Sequence, residues 1–230
     1  MKIQAIIPAA GTGTRLKTRQ PKPLILLNGK PLFVYALQAM ERCSAVASVI
    51  VVANEKHLKI FGKFIKKLKL KKVKRIVAGG ATRCESVQKA LCALDSDTEA
   101  VLIHDGARPL IKPSLMTRAI KALGKDPAVV VGVPVKPTIK KVDPTNFFVQ
   151  ETLSRETLWE VQTPQVFKKD ILLKAHALML EPNPTDDAVL VEKMGERVKM
   201  VMGDYQNIKI TTQEDLTLAK AFLIDERMSH

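Results

Sequence analysis

Residues 3–22 read IQAIIPAAGTGTRLKTRQPK, and the rest of the chain is organised around them. Residues 3–7 form an apolar run of the kind a buried strand uses. The run breaks at Pro8 into small residues, among them Ala9, Ala10, Gly11 and Gly13, and two cations follow, Arg15 and Lys22. A strand that runs into a Gly-rich turn leaves backbone N–H groups that can point at an anion. Small side chains let a phosphate come close to the backbone. The cations then neutralise charge that the N–H groups only orient. A strand with a plain surface loop would leave the small residues and the cations together unexplained.

Outward from this stretch, β-branched runs alternate with helical spacing. Strands are expected at residues 48–53, 75–78, 100–104 and 128–133, and helices at 31–42, 57–68, 85–94 and 113–123. This succession predicts an α/β fold, a largely parallel sheet flanked by helices. The rhythm changes at residue 135, where two extended segments flank Asp143-Pro144-Thr145-Asn146, a turn-forming run. A projecting β-hairpin arm is expected there, and its adjacent Phe147 and Phe148 point to an oligomer contact. Beyond the arm, residues 161–167 read as extended, 170–180 and 186–194 as helical, and 199–202 and 208–211 as short strands. The last helix covers 213–226, with Thr212 as its N-cap.

Composition narrows the classes. Of 230 residues, 46% are hydrophobic and only 4% aromatic, so the core must be mostly aliphatic. Three scattered cysteines, Cys43, Cys84 and Cys92, do not make a disulfide framework or a zinc knuckle, and reduced thiols fit a cytoplasmic protein. No apolar run approaches the ~20 residues of a membrane span, and the chain is expected to carry no signal segment. The net charge of +14 favours anionic partners, either nucleic acid or phosphorylated small molecules. The densest cluster, KFIKKLKLKKVKR at 63–75, reads as an amphipathic helix running into a strand, with its lysines in solvent.

In an open parallel sheet, ligands sit at the carboxyl ends of the strands. Four unusual stretches are expected at such ends: residues 8–22, 79–86 (GGATRCES), 104–109 (HDGARP) and 134–141. Gly79 and Gly80 let the backbone approach a flat ligand. Ser86 is placed to hydrogen-bond a base edge, or else to cap its helix. Asp105 and Arg108 could pair with each other, or hold a sugar hydroxyl and a phosphate. His104 fits a structural role as well as a catalytic one, with no serine or cysteine nucleophile placed beside it.

Taken in order, PAAGTGTR with PK, GGATRCESV, HDGARP, PVKPTIK, SRETLWEVQTPQVF, TDDA and NIKIT span nearly the whole chain. Together they resemble the 2-C-methyl-D-erythritol 4-phosphate cytidylyltransferase family, whose near relative acts on ribitol 5-phosphate. The resemblance implies a Rossmann-like nucleotidyltransferase fold. It implies a single domain over 1–230, with 135–153 as an arm inserted for homodimerisation. Pro8, Ala9, Ala10, Gly11 and Gly13 would cradle the CTP triphosphate, with Arg15 and Lys22 as catalytic cations. Gly79, Gly80 and Ser86 would form the cytosine pocket. Asp105 and Gly106 would lie near the ribose and the acceptor, and Arg108 would touch the acceptor. Thr138 and Arg155 would bind the acceptor phosphate, in a site completed by the other subunit's arm. Lys209 would orient the attacking phosphate. Mg²⁺ would be held mainly by the CTP phosphates, with Asp105 the nearest protein candidate and no dedicated metal ligands. The partners implied are CTP and a polyol phosphate, with neither nucleic acid nor membrane.

The chain departs from the commonest family pattern at Pro23-Leu24, at Gly106 and at Ser154. The Ser154 departure bears on how Arg155 is aimed, and so on which polyol is used. A basic nucleic-acid-binding module is the competing class. A relative without turnover is a third reading, which the intact Arg15, Lys22 and Lys209 oppose.

Overall fold

The computed structural model describes residues 1–11, 20–181 and 184–228. The apolar opening run becomes β1 (Ile3–Ala9), which meets a 3-10 turn at Lys22–Leu24 across residues outside the description. A short hairpin follows, β2 (Leu26–Leu27) and β3 (Lys30–Pro31), and leads into α1 (Leu32–Arg42). The expected alternation then appears: β4 (Ser48–Ala53), α2 (Leu58–Lys67), β5 (Val73–Ala78), α3 (Arg83–Leu91), β6 (Ala100–Ile103), α4 (Pro113–Leu123) and β7 (Ala128–Pro134). The arm is β8 (Ile139–Val142) and β9 (Val149–Leu153). The chain closes with β10 (Trp159–Lys168), α5 (Lys169–Leu178), α6 (Ala188–Lys193), β11 (Val198–Met202) and α7 (Gln213–Met228).

Seven strands form one sheet in the order β11-β7-β10-β6-β1-β4-β5. Every neighbouring pair is parallel except those of β10, which runs antiparallel to both β6 and β7. Side chains alternate across a strand, so β1 feeds two cores. Ile3, Ala5 and Ile7 pack with Phe33 and Leu37 of α1 and Met116 of α4. Ile6 packs on the other face with Val87 of α3, Leu172 of α5 and Leu190 of α6. Both faces are covered, which is why β1 and β4 are predominantly apolar, with Gln4 and Ser48 buried among them. Three of the aromatics gather in the core on the α1 side, with Phe33 stacked on Phe61 at 4.0 Å and edge-on to Phe64 at 5.8 Å.

Two local features differ from the sequence reading. Residues 208–211 are not a strand; Ile210 N–H donates to Ala107 O at 2.8 Å, so this segment lies over the loop after β6 instead of extending the sheet. The β2–β3 hairpin was not expected, although Asn28-Gly29 is a strong turn signal. Both residues take positive φ, 48° and 78°. Residues 161–167 are extended as expected, within β10, and Pro164 sits inside that strand. Proline lacks a ladder donor, and the pairing with β7 shifts register between Val161 and Gln165. Among the described residues, no helix is long and apolar enough to cross a membrane.

The arm forms as expected. Asp143 Oδ1 accepts from Thr145 N–H and Oγ1 at 2.8 and 2.6 Å, Asn146 Oδ1 accepts from Phe148 N–H at 3.0 Å, and the tip presents Phe147 and Phe148 with 79% and 73% of their surfaces exposed.

Candidate active site

The chain leaves β1 for β4 on one side and later returns to β6 on the other, so the carboxyl end of β1 is the topological switch point of the sheet. A cavity of about 550 Å³ lies there. Nine residues singled out from the sequence line it: Pro8, Ala9, Ala10, Gly11, Lys22, Gly80, Ser86, Asp105 and Lys209. Gly13 and Arg15 lie outside the described residues.

Close backbone approach explains the glycines on one wall. A Cβ on Gly79 would fall 2.5 Å from Ala10 Cβ, and one on Gly80 would fall 2.4 Å from Glu85 Cβ. Gly79 thus lets the loop after β5 lie against the loop after β1, and Gly80 lets that same loop fold close onto the first turn of α3. The α3 start is fixed by reciprocal capping: Thr82 Oγ1 accepts from Glu85 N–H at 3.1 Å, and the Glu85 carboxylate accepts from Ala81 N–H at 2.8 Å. Ser86 Oγ donates to Thr82 O at 2.9 Å and accepts from Gly80 N–H at 3.1 Å. Its hydroxyl thus ties the loop while it lines the cavity.

A chain of charges continues from the start of α3. Asp105 Oδ2 is 2.6 Å from Lys209 Nζ, and its Oδ1 is 3.2 Å from Arg83 Nε. Arg83 Nη1 reaches Asp187 Oδ2 at 2.7 Å, and Asp187 Oδ1 meets His176 Nε2 at 3.2 Å. Burial opposes charge on all three members, but the pairing outweighs it. Arg83 and Lys209 hold Asp105 well below the usual carboxylate range, Arg83 and His176 lower Asp187, and the two carboxylates keep Arg83 charged.

His104 is structural. Asp105 N–H donates to Thr163 Oγ1 at 3.1 Å, which leaves that hydroxyl to donate to His104 Nδ1 at 3.0 Å. Nε2 then carries the proton and donates to Arg108 O at 3.1 Å. Burial pushes the imidazole down to about 4, so it is neutral at physiological pH and both nitrogens are engaged.

Other expected site residues stand apart from the cavity. Arg108 does not pair with Asp105, contrary to one sequence reading. It is buried, its Nη1 donating to Asn207 O at 2.7 Å and its Nη2 to Val161 O at 3.2 Å, while Asp105 is taken by Arg83 and Lys209. Gly106 packs behind the wall, its N–H donating to Pro8 O at 3.1 Å. Thr138 and Arg155 are exposed at the base of the arm, where Arg155 Nη1 donates to Lys136 O at 3.2 Å, and neither lines the cavity. Conversely, Arg83 lines the cavity and was missed by sequence reasoning. A cation in the first turn of a helix opposes the macrodipole. That was the available signal that it needs carboxylate partners, and the Asp186-Asp187 pair supplies one of them.

A nucleotidyltransferase-type α/β sheet, with a small-residue loop and cations around a cavity at its switch point, defines the class. The family model of 2-C-methyl-D-erythritol 4-phosphate cytidylyltransferase (IspD) matches residues 3–225. The chain is 43% identical over 226 residues to the 2-C-methyl-D-erythritol 4-phosphate cytidylyltransferase of Caldanaerobacter subterraneus subsp. tengcongensis, covering 97% of this chain and 99% of that protein. It superposes on the crystal structure of 4-diphosphocytidyl-2C-methyl-D-erythritol synthase from Anaerococcus prevotii with a TM-score of 0.84 and 34% identity, over 97% of this chain and 98% of the other. The 2-C-methyl-D-erythritol 4-phosphate cytidylyltransferase of Thermus thermophilus gives 0.80 and 32%, over 97% and 100% of the two chains. The chain belongs to the 2-C-methyl-D-erythritol 4-phosphate cytidylyltransferase family.

Proposed function

We propose that this chain transfers the cytidylyl group of CTP to 2-C-methyl-D-erythritol 4-phosphate. The products are 4-diphosphocytidyl-2-C-methyl-D-erythritol and pyrophosphate, within non-mevalonate isoprenoid precursor synthesis. The observation that carries the reading is the switch-point cavity, in which the loop after β1, Lys22, the Gly80–Ser86 wall and Lys209 converge in a chain matched by the family over residues 3–225.

The acceptor phosphate oxygen attacks the α-phosphorus of CTP, and the bond to pyrophosphate breaks in line. A phosphate monoester has its second pKa near ~6 and is already anionic at neutral pH, so no general base is required. The barrier is the meeting of two anions, and catalysis rests on positioning and charge neutralisation. Lys22 and Arg15 stabilise charge on the phosphorus and the departing pyrophosphate. Lys209, held by Asp105 at 2.6 Å, aims the attacking phosphate. Gly79, Gly80 and Ser86 shape the cytosine pocket.

Mg²⁺ would add neutralisation of the triphosphate charge. Among the described residues no three His, Cys, Asp or Glu side chains converge, and Asp105 is already paired twice. That donor set fits an ion carried by phosphate oxygens and water, with few protein ligands. We further propose a homodimer built through the 135–153 arm, whose exposed Phe147 and Phe148 would be covered and whose Thr138 and Arg155 would serve the partner's acceptor site. The three unpaired thiols support a cytoplasmic location.

Pyrophosphate release measured with CTP and either methylerythritol phosphate or ribitol 5-phosphate tests the reading. Release is expected with the first acceptor, and much less with the second or with ATP, GTP or UTP. No release from CTP and methylerythritol phosphate would overturn the assignment.

A further inference from the structure

A cluster of soft ligands lies behind the cavity wall and shares His176 with the charge chain described above. Cys84 Sγ is 3.8 Å from His176 Nδ1 and 3.8 Å from Met179 Sδ. Two ligands sharing one ion, with bonds of about 2.3 Å to sulfur and about 2.0 Å to imidazole nitrogen, stand roughly 3.6–4.0 Å apart. Both separations fall in that range before any ion is bound.

The imidazole is prepared for coordination. Its Nε2–H donates to Asp187 Oδ1 at 3.2 Å, so Nδ1 turns its lone pair toward the thiol. A carboxylate on the far nitrogen is the usual support of a metal-binding histidine. Met179 caps α5 in the left-handed conformation, with φ 43° and ψ 49°, a placement usually left to glycine. From this position its thioether accepts from the Cys84 thiol at 3.8 Å. Thiol, thioether and imidazole together select a soft, monovalent ion over Mg²⁺ or Ca²⁺.

We propose that Cys84, His176 and Met179 form a binding site for Cu(I). On binding, the Cys84 thiol releases its proton to solvent, and the ion joins the thiolate, Nδ1 and the thioether with no change of oxidation state. The cation and the thiolate cancel in charge, so the partly buried site gains no net charge and avoids the cost of an isolated buried ion. Occupancy would pin the first turn of α3 to the end of α5, one residue from Arg83.

The test is an anaerobic titration of the full chain with Cu(I) buffered by bicinchoninate, in a Cys92→Ser background that removes the exposed thiol. One Cu(I) per chain is expected. Cys84→Ser and Met179→Leu should each weaken binding by about tenfold or more, the scale of a lost coordination partner. Failure of the parent chain to take Cu(I) from bicinchoninate, or binding by either variant within about twofold of the parent, would overturn the site. Copper K-edge absorption on the parent does not depend on how the variants fold. One nitrogen with two sulfur neighbours supports the site, and sulfur alone refutes it.

Discussion

Lys22 lines the cavity together with Pro8 to Gly11, and in the proposed mechanism its contribution is to the transition state. Lys22→Ala is expected to lower kcat by roughly 10²–10³, the scale of one lost preorganised donor, with an unchanged melting temperature. Turnover within a factor of about three of the parent would remove Lys22 from the mechanism. His104 makes a prediction about pH. Its folded pKa of about 4 lies below the ~6.5 of an unfolded chain, so between those values the unfolded state binds the extra proton. Stability therefore falls as pH drops through that window, by roughly 3 kcal/mol in all at 1.36 kcal/mol per unit. Urea midpoints across the window should show this slope, and His104→Gln, which keeps a donor and an acceptor, should flatten it. At this scale the sequence revealed residues whose meaning is local, such as the glycines and Lys22. Arg83 and Asp187 are 104 positions apart, and no local pattern joins them.

At the scale of the element, the start of α3 is where packing and the proposed cytosine pocket meet. Gly79→Ala would drive a methyl group into Ala10 Cβ at 2.5 Å, with Ser86 Oγ at 3.0 Å. The loop after β1 and the start of α3 would have to part. We expect a loss of about 1–3 kcal/mol in stability, as for overpacking in a dense interior. KM for CTP should rise as well; a variant with parental KM and melting temperature would show that the contact is dispensable. Elements with strong periodicity or paired caps were legible, and α4 and β4 begin and end where the sequence predicts. Residues 208–211 were not, because a short β-branched alternation also suits an extended segment anchored on Ala107.

At the scale of the molecule, the arm separates two halves of one proposed site. Lys22 belongs to the cavity, whereas Arg155 stands outside it on the same chain. Mixing inactive Lys22→Ala and Arg155→Ala proteins under subunit exchange should restore activity. Half of the dimers are then mixed, each with one intact site, which gives about a quarter of parental activity for a two-fold assembly. No recovery in a sample whose subunits have demonstrably exchanged would place both residues in the same subunit's site. The sheet's parallel character and the arm were legible from rhythm alone. The position of β10 was not, since strand pairing joins segments far apart in sequence and depends on topology.

That position bears on how the protein is born. β10 fills the place between β6 and β7, although it is synthesised after both. Until residue 168 has left the ribosome, the strands β6-β1-β4-β5 can assemble but keep an unpaired edge on β6, and β7 has no seat. An unpaired edge is an aggregation hazard, so the nascent chain is exposed over the interval in which the arm is being made. A chaperone that shields this protein would have its strongest claim there, on a half-built sheet waiting for its keystone.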